Sequence, residues 1–244
     1  MKFSFNVSKA IVALPLTWLV TVSANSKYSY RISGLGGYAY QYSGTCGLWP
    51  FGNYVDVQAS ESTIKTTGNG GGTESSPSMW ATFTLWSGCS ESSASLIEVD
   101  WSWYGSFPDA LDLSFPSNKL TSGYAKGTFR GLKTDCTIMT YSDEYGEWSW
   151  YDCDYGTAES VSVDVEVTWT GQGQSTQDRY SSTYRYPGGF YRYNSKGTTR
   201  EAATAIVVTV DGSVVDTDGI FGGESYTYGS LTKTTSGSMD IYKN

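Results

Sequence analysis

The sequence predicts an all-β chain: an antiparallel β-sandwich of jelly-roll or immunoglobulin-like type, stapled by disulfides. Three observations point there. Serine, threonine, glycine, tyrosine and tryptophan are abundant, with 28 Gly, 20 Tyr and 9 Trp in 244 residues. Alanine, leucine and lysine are scarce, a balance that favours strands and turns over helices. Apolar-polar alternations recur at short spacing between Gly, Ser and Asn clusters, the pattern of many short strands in a sandwich. Four cysteines, Cys46, Cys89, Cys136 and Cys153, read as two disulfides in an exported chain.

Export is read from residues 1–24. Lys2 and Lys9 precede an apolar run from Ala10 to Val22, and Val22-Ser23-Ala24 is a small-residue cleavage site before Asn25. The run contains Pro15 and falls short of the roughly 20 apolar residues that span a bilayer, so no membrane span is expected. The mature protein is expected outside the cytosol, extracellular or else periplasmic or bound at the cell surface. Cleavage would remove two lysines and take the formal charge from −8 to −10, which argues against nucleic acid as a partner.

Tyr28 to Ile32 and Tyr38 to Tyr42 open the series of expected strands. Tyr54 to Ala59 and Met79 to Trp86 then flank a Gly-rich loop at Gly68 to Gly72, and Leu96 to Trp103 follows. Phe107 to Ser122 holds Pro108 and Pro116 without a clear period and reads as a connection. Between Cys136 and Cys153 the midpoint falls in Asp143-Glu144-Tyr145-Gly146, a hairpin loop that would set the two cysteines opposite each other. Val161 to Trp169 alternates most cleanly, with valines and tryptophan on one face. Ala205 to Val210 and Ser213 to Val215 enclose Asp211-Gly212, a type I′ turn signal, and Ser225 to Tyr228 with Gly237 to Tyr242 complete the sheet.

An internal echo suggests duplication. Gly37-Tyr38-Ala39, Cys46, Trp86-x-x-Cys89 and Val99-Asp100-Trp101 recur as Gly123-Tyr124-Ala125, Cys136, Trp150-x-x-Cys153 and Val163-Asp164 leading to Trp169. The chain then divides into β modules at 25–118 and 119–244, or forms one β-sandwich domain over 25–244. Under the duplication, Cys46 pairs with Cys89 and Cys136 with Cys153.

The chain contains no histidine. That excludes a Ser-His-Asp triad, a Cys-His nucleophile and histidine-ligated zinc. A carboxylate pair of glycosidase type survives, with Glu98, Asp100 and Glu147 as the candidates beside tryptophans. Trp101 with Trp103, and Trp148 with Trp150, each place two rings on one strand face about 7 Å apart, a spacing that suits stacking on sugars. The alternative for these rings is the core.

Charge is segregated along the chain. Residues 135 to 166 carry nine acidic side chains and no basic one, whereas 179 to 200 carry Arg179, Arg185, Arg192, Lys196 and Arg200. Tyrosines interleave there, as in Tyr184-Arg185-Tyr186 and around Arg192, a combination suited to acidic polysaccharide or to pairing with the acidic block. No metal or other cofactor is expected. Calcium has candidates only in Asp152-Cys153-Asp154 and Asp216-Thr217-Asp218, both of which read as turns. The leading expectation is a secreted, non-enzymatic β protein that binds a surface or matrix component, with carbohydrate as the ligand class. A carboxylate-dependent glycoside hydrolase and a self-associating envelope or matrix protein are the alternatives.

Overall fold

The computed structural model describes residues 27–43, 52–67, 71–90, 92–99, 107–116, 118–187, 189–215 and 225–243. The expected signal segment, Cys46, Asp100, Trp101, Trp103 and Asp216 to Asp218 lie outside them. Every regular element in the described residues is a strand: β1 (Lys27–Ser43), β2 (Asn53–Thr67), β3 (Thr73–Ser87), β4 (Ser93–Val99), β5 (Ala110–Ser114), β6 (Ser122–Asp143), β7 (Gly146–Cys153), β8 (Glu159–Gly171), β9 (Thr176–Tyr186), β10 (Gly189–Val210), β11 (Ser213–Val214) and β12 (Ser225–Lys243). The all-β expectation holds, and no helix here is long and apolar enough to cross a membrane.

All strands belong to one antiparallel sheet, where a sandwich requires two. Following the pairings from β1 through β2, β3, β4, β6, β8, β10 and β12 returns to β1, so eight strands close a ring. Closure depends on the two 22-residue strands, because each changes neighbours along its length. β10 pairs with β12 up to Glu201 and with β8 from Ala202 onward. Past the ring the same strands run on, as an open sheet of β9, β10, β12, β1, β2 and β3 at one end and a β6–β7 hairpin arm at the other.

Period-two alternation fills the ring. Val161, Val163, Val165, Val167 and Trp169 of β8 meet Ala39, Val55, Val57, Phe83, Phe129, Val208 and Leu231 in the main core. Space for Trp169 comes from Gly37, whose Cβ would stand 2.6 Å from the indole ring. The indole Nε1 donates to the Tyr38 carbonyl at 2.8 Å, which ties β8 to β1 across the core. A second cluster sits on the outer face around Trp86, Ala94, Leu96 and Cys136.

Cys136 and Cys153 are direct cross-strand partners and form the expected disulfide. Cys89 is likewise disulfide-bonded, and its expected partner Cys46 lies outside the described residues. The turn at Asp211-Gly212 shows the positive φ of type I′, 47° and 81°. The echoed tryptophans, in contrast, differ in environment: Trp86 is buried and Trp150 is exposed.

Several strands run well beyond their expected limits. β12 joins two expected strands, and β10 begins sixteen residues before Ala205. The added lengths are mostly polar, with Leu231 and Ala202 as isolated core residues, so alternation does not announce them. A short strand, β5, also lies within the expected connection from Phe107 to Ser122.

Candidate functional site

The side of each strand that faces the core does not stop at the ring. In β10 the even-numbered residues Ala202, Ile206 and Val208 are buried in the core, and the same side earlier carries Arg192, Asn194 and Lys196. Register brings matching side chains alongside: Thr183, Ser181 and Arg179 from β9, and Asp240, Ser238 and Ser236 from β12. Next come Ser29 and Arg31 of β1, then Thr67 and Lys65 of β2. The inner face therefore changes from apolar to basic where the ring opens into a sheet.

Arg31, Lys65, Arg179, Arg185, Arg192 and Lys196 are all exposed on this face, and Lys233 joins them nearer the core. Asp240 and Glu61 are its acids, so seven cations face two carboxylates on a chain of formal charge −8. No ion pair among the described residues engages any of the seven. The ion pairs formed by described residues, Lys126 with Asp164 and Arg130 with Asp109, lie elsewhere.

Two cross-strand pairs are like-charged. Arg31 stands directly opposite Lys65, and Arg179 directly opposite Lys196. Such pairs oppose folding, since like charges directly across a sheet destabilise it. A depression of about 380 Å³ lies among Arg31, Arg179, Lys196, Asn194 and Ser238, and one of about 410 Å³ is lined by Arg185, Phe190 and Arg192. From β9 to β2 the face is roughly 19 Å wide, at about 4.8 Å per strand. We call this surface the trough. It offers several separated cations to an extended polyanion, with Ser and Asn side chains between them as hydrogen-bonding groups.

Of the expected site residues, Arg185 and Arg192 lie in the trough. Tyr184 and Tyr186 point to the opposite side of the sheet, where Tyr184 stacks on Tyr191 at 5.2 Å and 25°. Adjacent strand residues alternate sides, which separates Arg185 from Tyr184, whereas Tyr186, at the turn end of β9, still borders the depression lined by Arg185 and Arg192. Arg200 folds back instead to the carbonyls of Gln172, Lys119 and Leu120.

Trp148 and Trp150 share one face of the arm with Tyr141 and Met139, their direct partners. These rings are 59% and 48% exposed, which places them outside both cores. The acidic block does not pair with the basic one. Asp143, Glu144, Glu147 and Asp152 are exposed on the arm, at the end of the ring remote from the trough.

Glu98 and Glu147 are not brought together. Glu98 is opposite Leu132 and Glu147 opposite Ser142, so ten residues of β6, roughly 33 Å, separate their positions. Glycosidase carboxylates lie roughly 5 to 9.5 Å apart. Burial raises the Glu98 carboxyl above the usual range, opposed by a hydrogen bond from Tyr155. The Tyr155 hydroxyl is itself pushed up to about 12, chiefly by burial and then by the Glu98 charge.

Sequence reasoning did not find Arg31, Lys65 and Lys233 for this surface. They are distant in sequence from the basic block, and only register joins them to it. Comparison with models of protein families, with curated protein sequences and with solved structures finds no match for this chain.

Proposed function

We propose that this chain is a secreted, non-enzymatic β protein that binds acidic polysaccharide along the trough. The observation that carries the reading is the concentration of seven cations, without ion pairs among the described residues, on one face of a net acidic chain. A neutral glycan would not call for that arrangement. A folded chain gains nothing from Arg179 opposite Lys196, whereas a bound polyanion converts the repulsion into attraction. Carboxylate or sulfate groups suit the arginines, which present planar, bidentate donors.

The test is retention of the oxidised protein on immobilised polygalacturonate and on a neutral glucan, with reducing ends measured in the supernatant. Retention on polygalacturonate alone, released by salt and without new reducing ends, is expected. Equal retention on both glycans refutes the reading. Release of reducing ends would move it to the hydrolase alternative.

A further inference from the structure

A second site lies on the outer face of the ring, on the other side of β1, β2 and β12 from the core. Alternation sets Tyr38, Tyr40 and Tyr42 of β1 outward, beside Tyr54 and Asp56 of β2 and Tyr226 and Tyr228 of β12. The rings pair diagonally, Tyr38 with Tyr228 at 6.0 Å and Tyr40 with Tyr226 at 6.4 Å. Asp56 sits among them, opposite Tyr40 on one side and Thr82 on the other.

This carboxylate is poorly satisfied. Oδ2 accepts one long hydrogen bond, 3.4 Å, from the Tyr38 hydroxyl. Oδ1 is buried and accepts no hydrogen bond from the described residues. The groups facing Asp56 from β1, β2, β3 and β12 are tyrosines, Gln58, Trp80 and threonines, with no lysine or arginine. A buried charge without counter-charge is costly, and a protein that retains one has reason to leave it for a ligand.

We infer that Asp56 and the surrounding tyrosines form a binding site for a small organic cation of the alkylammonium class. An ammonium group there would neutralise the carboxylate, while its methyl or methylene groups lie against ring faces in cation–π contact. A hard metal ion fits less well, because it requires about six or more oxygen ligands and Asp56 is the one carboxylate in the cluster. Burial has already raised the Asp56 carboxyl to about 6, so it is charged at neutral pH and loses its charge in mild acid. Tyr38 and Tyr40 stay neutral throughout that range, since burial and the Asp56 charge raise both.

The experiment follows the tyrosine ring resonances by NMR while tetramethylammonium, or its uncharged isostere tert-butanol, is titrated at constant ionic strength. Saturable shifts with tetramethylammonium near neutral pH are expected, at least about tenfold weaker with tert-butanol. Binding should weaken as pH falls through about 6. Asp56→Asn, checked for folding by its unchanged core resonances, should lose the response. Comparable affinity for tert-butanol, an undiminished response in Asp56→Asn or no saturable shift at all would overturn the assignment. The comparison of the two probes on the unmodified protein remains decisive if the variant does not fold.

Discussion

Replacing Arg179 and Lys196 together by glutamine separates what the trough does for binding from what it does for folding. A cation and an anion about 4 Å apart in water attract by about 1 kcal/mol. Two lost contacts therefore remove about 2 kcal/mol, or about thirtyfold in affinity for polygalacturonate at low salt. The same change relieves a like-charge pair, so the folded state should gain about 0.2 to 1 kcal/mol. For a chain of this size that gain raises Tm by at most about 4 °C. The assays are co-sedimentation with the polysaccharide over a salt series and thermal unfolding without ligand. Arg130→Gln is the control, because it removes one positive charge at the exposed Asp109 pair, outside the trough. Affinity unchanged in the double variant, or reduced as much by Arg130→Gln, would refute the local electrostatic argument. A drop in Tm would show that the two side chains support the sheet.

Four further outcomes follow from the packing. Replacing Cys136 and Cys153 by serine opens a loop of separation 17 and should cost about 3 kcal/mol, read from denaturant unfolding. Gly37→Val forces a side chain into the Trp169 ring and should cost about 1 to 3 kcal/mol or more, with a shift in tryptophan emission. Asp56 carries a raised pKa in the folded state, so its contribution to stability is present in acid and is lost as pH rises through about 6. Asp56→Asn should therefore raise Tm relative to the parent at about pH 8, with the difference shrinking toward about pH 4, and a pH-independent difference would contradict burial of the charge. Replacing both Trp148 and Trp150 by alanine should change stability by less than about 1 kcal/mol, since exposed side chains lose little on truncation.

The parts of this fold legible in the sequence are those where one face is dry. β8 alternates without interruption because every second residue enters the core, and the Cys136–Cys153 hairpin is centred on its own turn. Much of the open sheet is illegible for the opposite reason: Gly189 to Arg200 and Thr232 to Ser236 meet water or polar neighbours on both sides, so no period marks them as strand, although Tyr28 to Ile32 and Gly237 to Tyr242 beside them were read as strands. Ring closure depends on β6 and β10 exchanging partners part-way along, and no local pattern encodes that. Segregation of positive charge at 179 to 200 was visible, but its extension to Arg31 and Lys65 was not. Alternation alone, applied to Tyr184-Arg185-Tyr186, does separate the arginine from its neighbouring tyrosines. Asp56 looked like an ordinary polar residue in a strand, since its tyrosine surroundings come from three strands.

The opposed charges at the two ends give the molecule an electric axis. Cations line the open sheet, and Asp143, Glu144, Glu147 and Asp152 stand on the arm. Near a negatively charged layer, one end is drawn down and the other pushed away, a torque that acts before any contact forms. The 22 residues of β6 run from the trough end to the tip of the arm, roughly 70 Å of strand and roughly 50 Å of height at the usual barrel tilt. The protein would stand upright on such a layer, with its tryptophans held clear of it and facing outward. Neighbouring molecules would share that alignment, so a coated surface would present a layer of aromatic side chains in place of its own charge.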